Sequence, residues 1–246
     1  MKVFALTDKG KVRSQNQDYF YVSSEPVGIL DNLFVVCDGI GGNKAGDYAS
    51  RFVTEKFVEE VKIRDEKIFA VFDDAVVGSN RRLMEEAASS PAYEGMGTTL
   101  VSLTVKERLA VIANVGDSRA YVYCDSQLRQ ITKDHSVIQE LMDLNIITKD
   151  EAKNHPRRNA ITKAMGYDFE LLPDIFDFEV KKGDIILLCT DGLTNMVEDD
   201  DIKDIISKKA EMEVTGWELM NKALDNGGKD NITIVLVEIE EGDMAC

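Results

Sequence analysis

The sequence predicts an α+β domain in which antiparallel sheets are covered by helices, and three observations lead there. Short runs rich in Val, Ile, Thr and Phe recur along the whole chain. Several are joined by links as short as residues 106–108, 116–118 and 181–183. Links of that length close antiparallel hairpins and are too short for a parallel crossover. Helical periodicity comes in pairs, two early and two late, each with one apolar stripe to bury.

From the start of the chain, residues 3–6, 19–23 and 33–37 read as strands from their β-branched and aromatic content. Over 45–61, Ala45, Ala49, Phe52, Val53, Phe57 and Val61 form one helical stripe. Ile68, Phe72, Ala75, Val76, Leu83 and Ala87 form a second, which stops before Pro91. Strands at 98–105, 109–115 and 120–124 come next, then a helical pattern at 136–144. Thr148 and Glu151 have the spacing of a capping box. The stretch 145–167 is weakly periodic and locally basic, and reads as a surface flap. Strands at 176–180 and 184–189 precede a helix after 199–201, carrying Ile202, Ile205 and Ile206. A last helix carries Trp217, Met220, Ala223 and Leu224, read as core, and stops at Asn226-Gly227-Gly228 before a strand at 232–238.

Composition narrows the function. With 45 acidic against 29 basic residues the formal charge is -16, which disfavours nucleic acid and anionic membrane surfaces as partners. The hydrophobic fraction of 44% over 246 residues supports a large core, and no linker divides the chain, so a single domain over 1–246 is expected. The start lacks a signal-peptide apolar region and the apolar runs are strand-length, so a soluble, cytoplasmic protein is expected. Cys37, Cys124, Cys189 and Cys246 are widely spaced and suggest neither disulfides nor a thiolate zinc site.

The informative residues stand at the strand ends. Asp38-Gly39 and Asp191-Gly192 each end an apolar run, Gly116-Asp117 ends another, and Asp230 precedes the last strand. An Asp-Gly pair is an ordinary turn signal, and the glycine allows a sharp turn. Four such carboxylates on one rim, however, repel one another unless cations join them. Oxygen ligands without nearby His or Cys suit magnesium or manganese. Other signatures fail: residue 47 is Asp where a phosphate-binding loop needs lysine, and 116–120 lacks the closing glycine of a nucleophile elbow.

RSQNQD at 13–18, VVCDGIGGNKAG at 35–46, MGTT at 96–99, NVGDSRAY at 114–121, LCTDGLTN at 188–195 and GKDNITIVLV at 228–237 bring a family into view. In that order, they resemble the successive motifs of the metal-dependent, type 2C protein serine/threonine phosphatases, in their compact bacterial form. The resemblance implies two antiparallel sheets sandwiched between helix pairs, with a metal site at one end. It implies that Asp38 bridges two Mn2+ or Mg2+ ions, that the Gly39 carbonyl is a further ligand, and that Asp18, Asp191 and Asp230 complete the set. Asp117 matches a ligand of a third, weaker ion, with Asn159 near it, and Arg13 matches the arginine that holds the substrate phosphate.

The implied activity is hydrolysis of phosphoserine and phosphothreonine in proteins by a water activated between two metal ions, without a covalent intermediate. Implied partners are phosphorylated proteins and a cognate serine/threonine kinase, and the chain is expected to be a monomer. Two alternatives stand beside it: a two-metal hydrolase of small phosphate esters, and a non-catalytic phosphoprotein binder. Part of the family carries histidine after the first Asp-Gly, as general acid, where this chain has Ile40. A metal-bound water, His135 or His155 are the candidate donors. Lys153, His155, Arg157, Arg158 and Lys163 form a basic cluster that would steer phosphorylated segments inward, or a solvated loop.

Overall fold

The structure is a computed structural model and describes residues 1–41, 45–153 and 155–244. In chain order it contains β1 (Lys2–Asp8), β2 (Asp18–Ser23), β3 (Leu33–Ile40), α1 (Ala45–Lys62), α2 (Ile68–Ser89), β4 (Gly97–Thr98), β5 (Leu100–Lys106), β6 (Leu109–Val115), β7 (Arg119–Cys124) and β8 (Gln127–Gln130). Next come α3 (Val137–Asp143), α4 (Lys149–Ala152), β9 (Asp174–Glu179), β10 (Ile185–Cys189), α5 (Asp191–Thr194), α6 (Asp199–Ser207), α7 (Met212–Asp225) and β11 (Ile232–Glu238).

Two antiparallel sheets result. One has the order β1-β11-β10-β7-β8, the other β2-β3-β5-β6-β9 with β4 beside β3. The period-two alternation of each strand sorts its side chains between two layers. On β3, Leu33, Val35 and Cys37 pack under α1 and α2, while Phe34 and Val36 face the other sheet. On β10, Ile185, Leu187 and Cys189 pack under α6 and α7, while Ile186 and Leu188 face inward. Both faces of the central strands are buried, so their sequence shows unbroken apolar runs. The predicted α-β-β-α layering is what the chain forms.

Several details differ from the sequence expectations. Only the 106–108 link closes a hairpin. The 116–118 link leads from β6 in one sheet to β7 in the other, and 181–183 leads from β9 to β10, so both are corners of the sandwich. Strands apolar on both faces give no sign of which sheet they join, and link length alone does not distinguish the two cases. β8 was not expected: its Gln127-Leu128-Arg129-Gln130 run is an edge strand, turned by Asp125 and Ser126 at φ 48° and 62°. Trp217 is not core but 48% exposed, because α7 buries Met212, Thr215, Gly216, Leu219, Met220 and Ala223. At 100° per residue, position 217 lies off that face.

The flap is shorter than expected. Leu144 and Ile146 stand exposed and α4 opens with the Thr148–Glu151 capping box, but from Ile161 the chain returns to the body. Thr162 N–H donates to the His135 carbonyl at 2.8 Å, Met165 N–H to the Thr98 carbonyl at 2.9 Å, and Met165 is fully buried. Cys37 and Cys189 are fully buried, free thiols pushed up to about 12 by burial; Cys246 lies outside the described residues. No helix among the described residues is long and apolar enough to cross a membrane.

Candidate metal centre

Every aspartate singled out from the sequence lies at the same end of the sandwich. Asp18 opens β2 and is the ladder partner of Asp38 on β3. Asp38 does not end its strand, since Gly39 and Ile40 continue it against Thr98 and Gly97 of β4. Asp191 is the first residue of α5, just after β10; Asp230 stands just before β11, and Asp117 sits in the corner between β6 and β7. Within each sheet antiparallel order sets the end of one strand beside the start of its neighbour, and the face-to-face packing of the two sheets brings the two sets together.

The glycines serve close approach here more than turning. A Cβ on Gly39 would lie 2.1 Å from the Gly46 carbonyl oxygen, and one on Gly192 only 1.9 Å from that of Asn231. A Cβ on Gly46 would stand 2.8 Å from the Gly39 carbonyl oxygen, so glycine at 46 keeps that oxygen approachable.

Threonines that lie inside the sequence motifs, but were not singled out there, fix the carboxylates. Asp18 is 5% exposed; its Oδ2 accepts from Thr190 Oγ1 at 2.9 Å and from Thr233 Oγ1 at 2.7 Å. Its Oδ1 is buried without a partner among the described residues. Asp38 N–H donates to Thr99 Oγ1 at 2.9 Å, and Thr99 Oγ1 shares a 2.7 Å hydrogen bond with Ser118 Oγ, beside Asp117. Asp191 Oδ2 accepts from Asn195 at 2.9 Å, and its Oδ1 is a second buried orphan. Threonine is an ordinary strand residue, so nothing local distinguishes one that holds a carboxylate. At most, a hydroxyl within an otherwise apolar run hints at it.

Electrostatics agree with the orphaned atoms. Burial raises Asp38 well above the usual carboxylate range, and the charges of Asp18, Asp191, Asp117 and Asp230 add to it. Burial pushes Asp18 up to about 7 despite its threonine donors. Asp117 rises to about 7 and Asp191 to about 6, burial leading in both, with Asp191 and Asp230 the next contributors respectively. Such a cluster is unfavourable as a group of bare anions and favourable around cations. Among the described residues, no three Asp, Glu, His or Cys side chains already surround a single ion position. Magnesium and manganese keep several waters and take only one or two carboxylates each, so an open cluster with unpaired oxygens fits hydrated ions.

A cavity of about 480 Å³ opens beside this cluster. Arg13, Asp117, Asp191 and Asp230 line one side, and Lys149, Lys153, Arg158 and Asn159 of the flap line another, with Glu198 and Asp199 at the start of α6. Asp18 and Asp38 lie outside this lining. Arg13 Nη2 donates to Asp230 Oδ2 at 2.7 Å, which sets the guanidinium beside the cluster.

Within the basic cluster, Lys153 pairs with Glu198 at 3.0 Å and Lys163 with Asp174 at 2.8 Å, so two of its five side chains are neutralised. His135 does not face the cavity. Its Nδ1 accepts the Gly116 N–H at 2.9 Å, its Nε2 lies 3.2 Å from Asp174, and burial holds its pKa below the ordinary value. It braces the corner that carries Asp117. His155 Nδ1 accepts the Arg157 N–H at 3.2 Å, within the flap.

Comparison with known proteins agrees with the motifs. The protein phosphatase 2C family pattern matches residues 9–226. The chain is 36% identical over 242 residues to the serine/threonine phosphatase stp of Listeria welshimeri, spanning 94% of this chain and 93% of that protein. The solved structure of serine/threonine phosphatase Stp1 from Staphylococcus aureus superposes with a TM-score of 0.91 at 40% identity, over 97% of this chain and 95% of its own. The catalytic domain of the phosphatase PstP, solved in complex with two manganese ions, gives a TM-score of 0.85 at 32% identity over 98% of each chain. With ordered motifs, layered fold and near-complete coverage in agreement, this chain belongs to the protein phosphatase 2C family of metal-dependent phosphatases.

Proposed function

We propose that this chain, acting over 1–246 as one catalytic unit, hydrolyses phosphoserine and phosphothreonine in proteins and so reverses a serine/threonine kinase. The observation that carries the reading is the pair Asp18 and Asp38, partners across one ladder, with a buried orphan oxygen on Asp18 and another on nearby Asp191. Asp18, Asp38, Asp191, Asp230 and the Gly39 carbonyl would hold two Mn2+ or Mg2+ ions, and Asp117 a third, weaker one. When bound, the ions acidify a water and neutralise the phosphate dianion.

The chain's own groups then have distinct tasks. Arg13, held at the cleft by Asp230, offers its remaining donors to the phosphate oxygens. Thr190 and Thr233 keep one oxygen of Asp18 occupied, so the other stays turned to the centre. Thr99 and Ser118 tie the Asp38 backbone to the Asp117 corner. Ile40 carries no proton to donate and no histidine lines the cleft among the described residues. Water in the cleft is the donor this reading favours for the leaving oxygen.

The test is manganese-dependent hydrolysis of an aryl phosphate and of a phosphothreonine peptide, both abolished by chelator and by Asp38→Ala or Asp191→Ala. A wild-type protein inactive with manganese would overturn the enzymatic reading. Turnover of the aryl ester with none of any phosphopeptide would favour a small-ester hydrolase.

A further inference from the structure

We propose that Asn231 is a positioning residue for phosphate recognition, setting the reach of Arg13; this rests on Arg13 being the group that holds the substrate phosphate. Arg13 sits in the link between β1 and β2, which contains no regular structure and is exposed around it: Val12 is 67% exposed and Arg13 has half its side chain in solvent. A link of this kind needs external anchors to hold a guanidinium in one place, because ordering each of its residues costs backbone entropy.

Three of the anchors come from one side chain. Asn231 is 3% exposed. Its Nδ2 donates to the carbonyls of Lys9 and Gln15, each at 2.9 Å, and its Oδ1 accepts the N–H of Gln17, also at 2.9 Å. Both amide donors and one acceptor site are thus spent on three backbone groups that bracket Arg13 on either side. The same stretch docks at two further points. Lys11 N–H donates to the Gly228 carbonyl at 2.7 Å, and Gly10 lies so close that a Cβ would meet the Asp230 carbonyl oxygen at 2.2 Å.

The arrangement links two functions through adjacent residues. Asp230 grips the tip of Arg13 through its side chain, while Asn231 grips the base of the link that carries it. No other side-chain type of this size does the same: aspartate would keep the bond from Gln17 but place a negative charge against two carbonyl oxygens, and leucine would leave all three backbone groups without a partner. Asn231 touches neither substrate nor metal in this scheme. It acts through Arg13.

The experiment is a double-mutant cycle on the manganese-loaded enzyme. Measured for wild type, Arg13→Ala, Asn231→Ala and the double variant are KM and kcat for a phosphothreonine peptide, the inhibition constant of inorganic phosphate, and manganese affinity by calorimetry. Asn231→Ala is expected to raise KM and the phosphate inhibition constant about tenfold, with manganese affinity held and no further rise once Arg13 is already alanine. Equal rises in both backgrounds, or a parallel loss of manganese affinity, would overturn the proposal in favour of general disruption. Arg13→Ala raising KM while Asn231→Ala does not would overturn it alone; Arg13→Ala without effect would overturn the reading of Arg13 beneath it. If Asn231→Ala fails to fold, Asn231→Asp keeps the bond from the Gln17 N–H while losing those to Lys9 and Gln15, and the same non-additivity with Arg13→Ala is required.

Discussion

Asp18 and Asp38 stand directly opposite each other as registered partners of the β2–β3 ladder. Like charges in that relationship oppose sheet formation. The sheet forms nonetheless, with the Thr190 and Thr233 hydroxyls from the opposite sheet on one oxygen of Asp18 and no partner among the described residues on the other. The ladder is therefore arranged to bring two carboxylates together, and its stability depends on what neutralises them.

Metal-free protein should lose stability as pH rises. Asp18 and Asp117 are pushed up to about 7 and Asp191 to about 6, whereas unfolded aspartates titrate near 3.9. Between those values the folded chain keeps protons that the unfolded chain has released, so the stabilising contribution is complete below about pH 4 and gone above about pH 7. In chelator, melting should occur at lower temperature near pH 7.5 than near pH 5.5, manganese should close the gap, and Asp18→Asn should flatten the slope. A slope unchanged in Asp18→Asn would mean that overall charge is responsible.

Thr233→Val is close to isosteric and removes one of the two hydroxyl donors to Asp18 Oδ2. Divalent-ion affinity measured by calorimetry should fall about 10–100-fold, the range found for groups that orient a metal ligand. A lower melting temperature with unchanged affinity would limit the threonine to packing.

Gly192→Ala places a Cβ 1.9 Å from a backbone oxygen that cannot move without displacing Asn231. Denaturant unfolding should show a loss of about 2–3 kcal/mol. Gly242→Ala, with no atom of the described residues within 4 Å, is the matched control and should stay within about 0.5 kcal/mol.

His135→Ala should cost about 1–3 kcal/mol, because it leaves the Gly116 N–H without its acceptor. The midpoints of the pH-rate profile should not move, since the ring faces the Asp117 corner and not the cleft. A shifted limb would return His135 to the role of general acid.

Much of the fold was legible because its signals are local. The stripes of α1 and α2 and the bounds of β6 and β11 come from periodicity and β-branched content. Trp217 misled because a helical stripe fixes a face only to within a residue or so, and Gly216 packing on Phe4 decides which way α7 turns. β8 was missed because an edge strand paired on one side carries little apolar content. The sandwich corners at 116–118 and 181–183 looked like hairpins because sheet membership is a long-range property.

By itself, the sequence determined the layered fold, the family and which aspartates gather at one end of the sandwich, since each is carried by residue type and order along the chain. Tertiary structure alone decided which groups hold those aspartates and the Arg13 link: Thr233 reaches Asp18 across 215 residues of chain, Asn231 reaches Gln15 across 216, and Arg13 reaches Asp230 across 217. A hydroxyl or amide carries no mark of such a partner. Only the closing of two sheets face to face brings donor and acceptor to hydrogen-bonding distance, and with it turns the mutual repulsion of the aspartates into a place for cations.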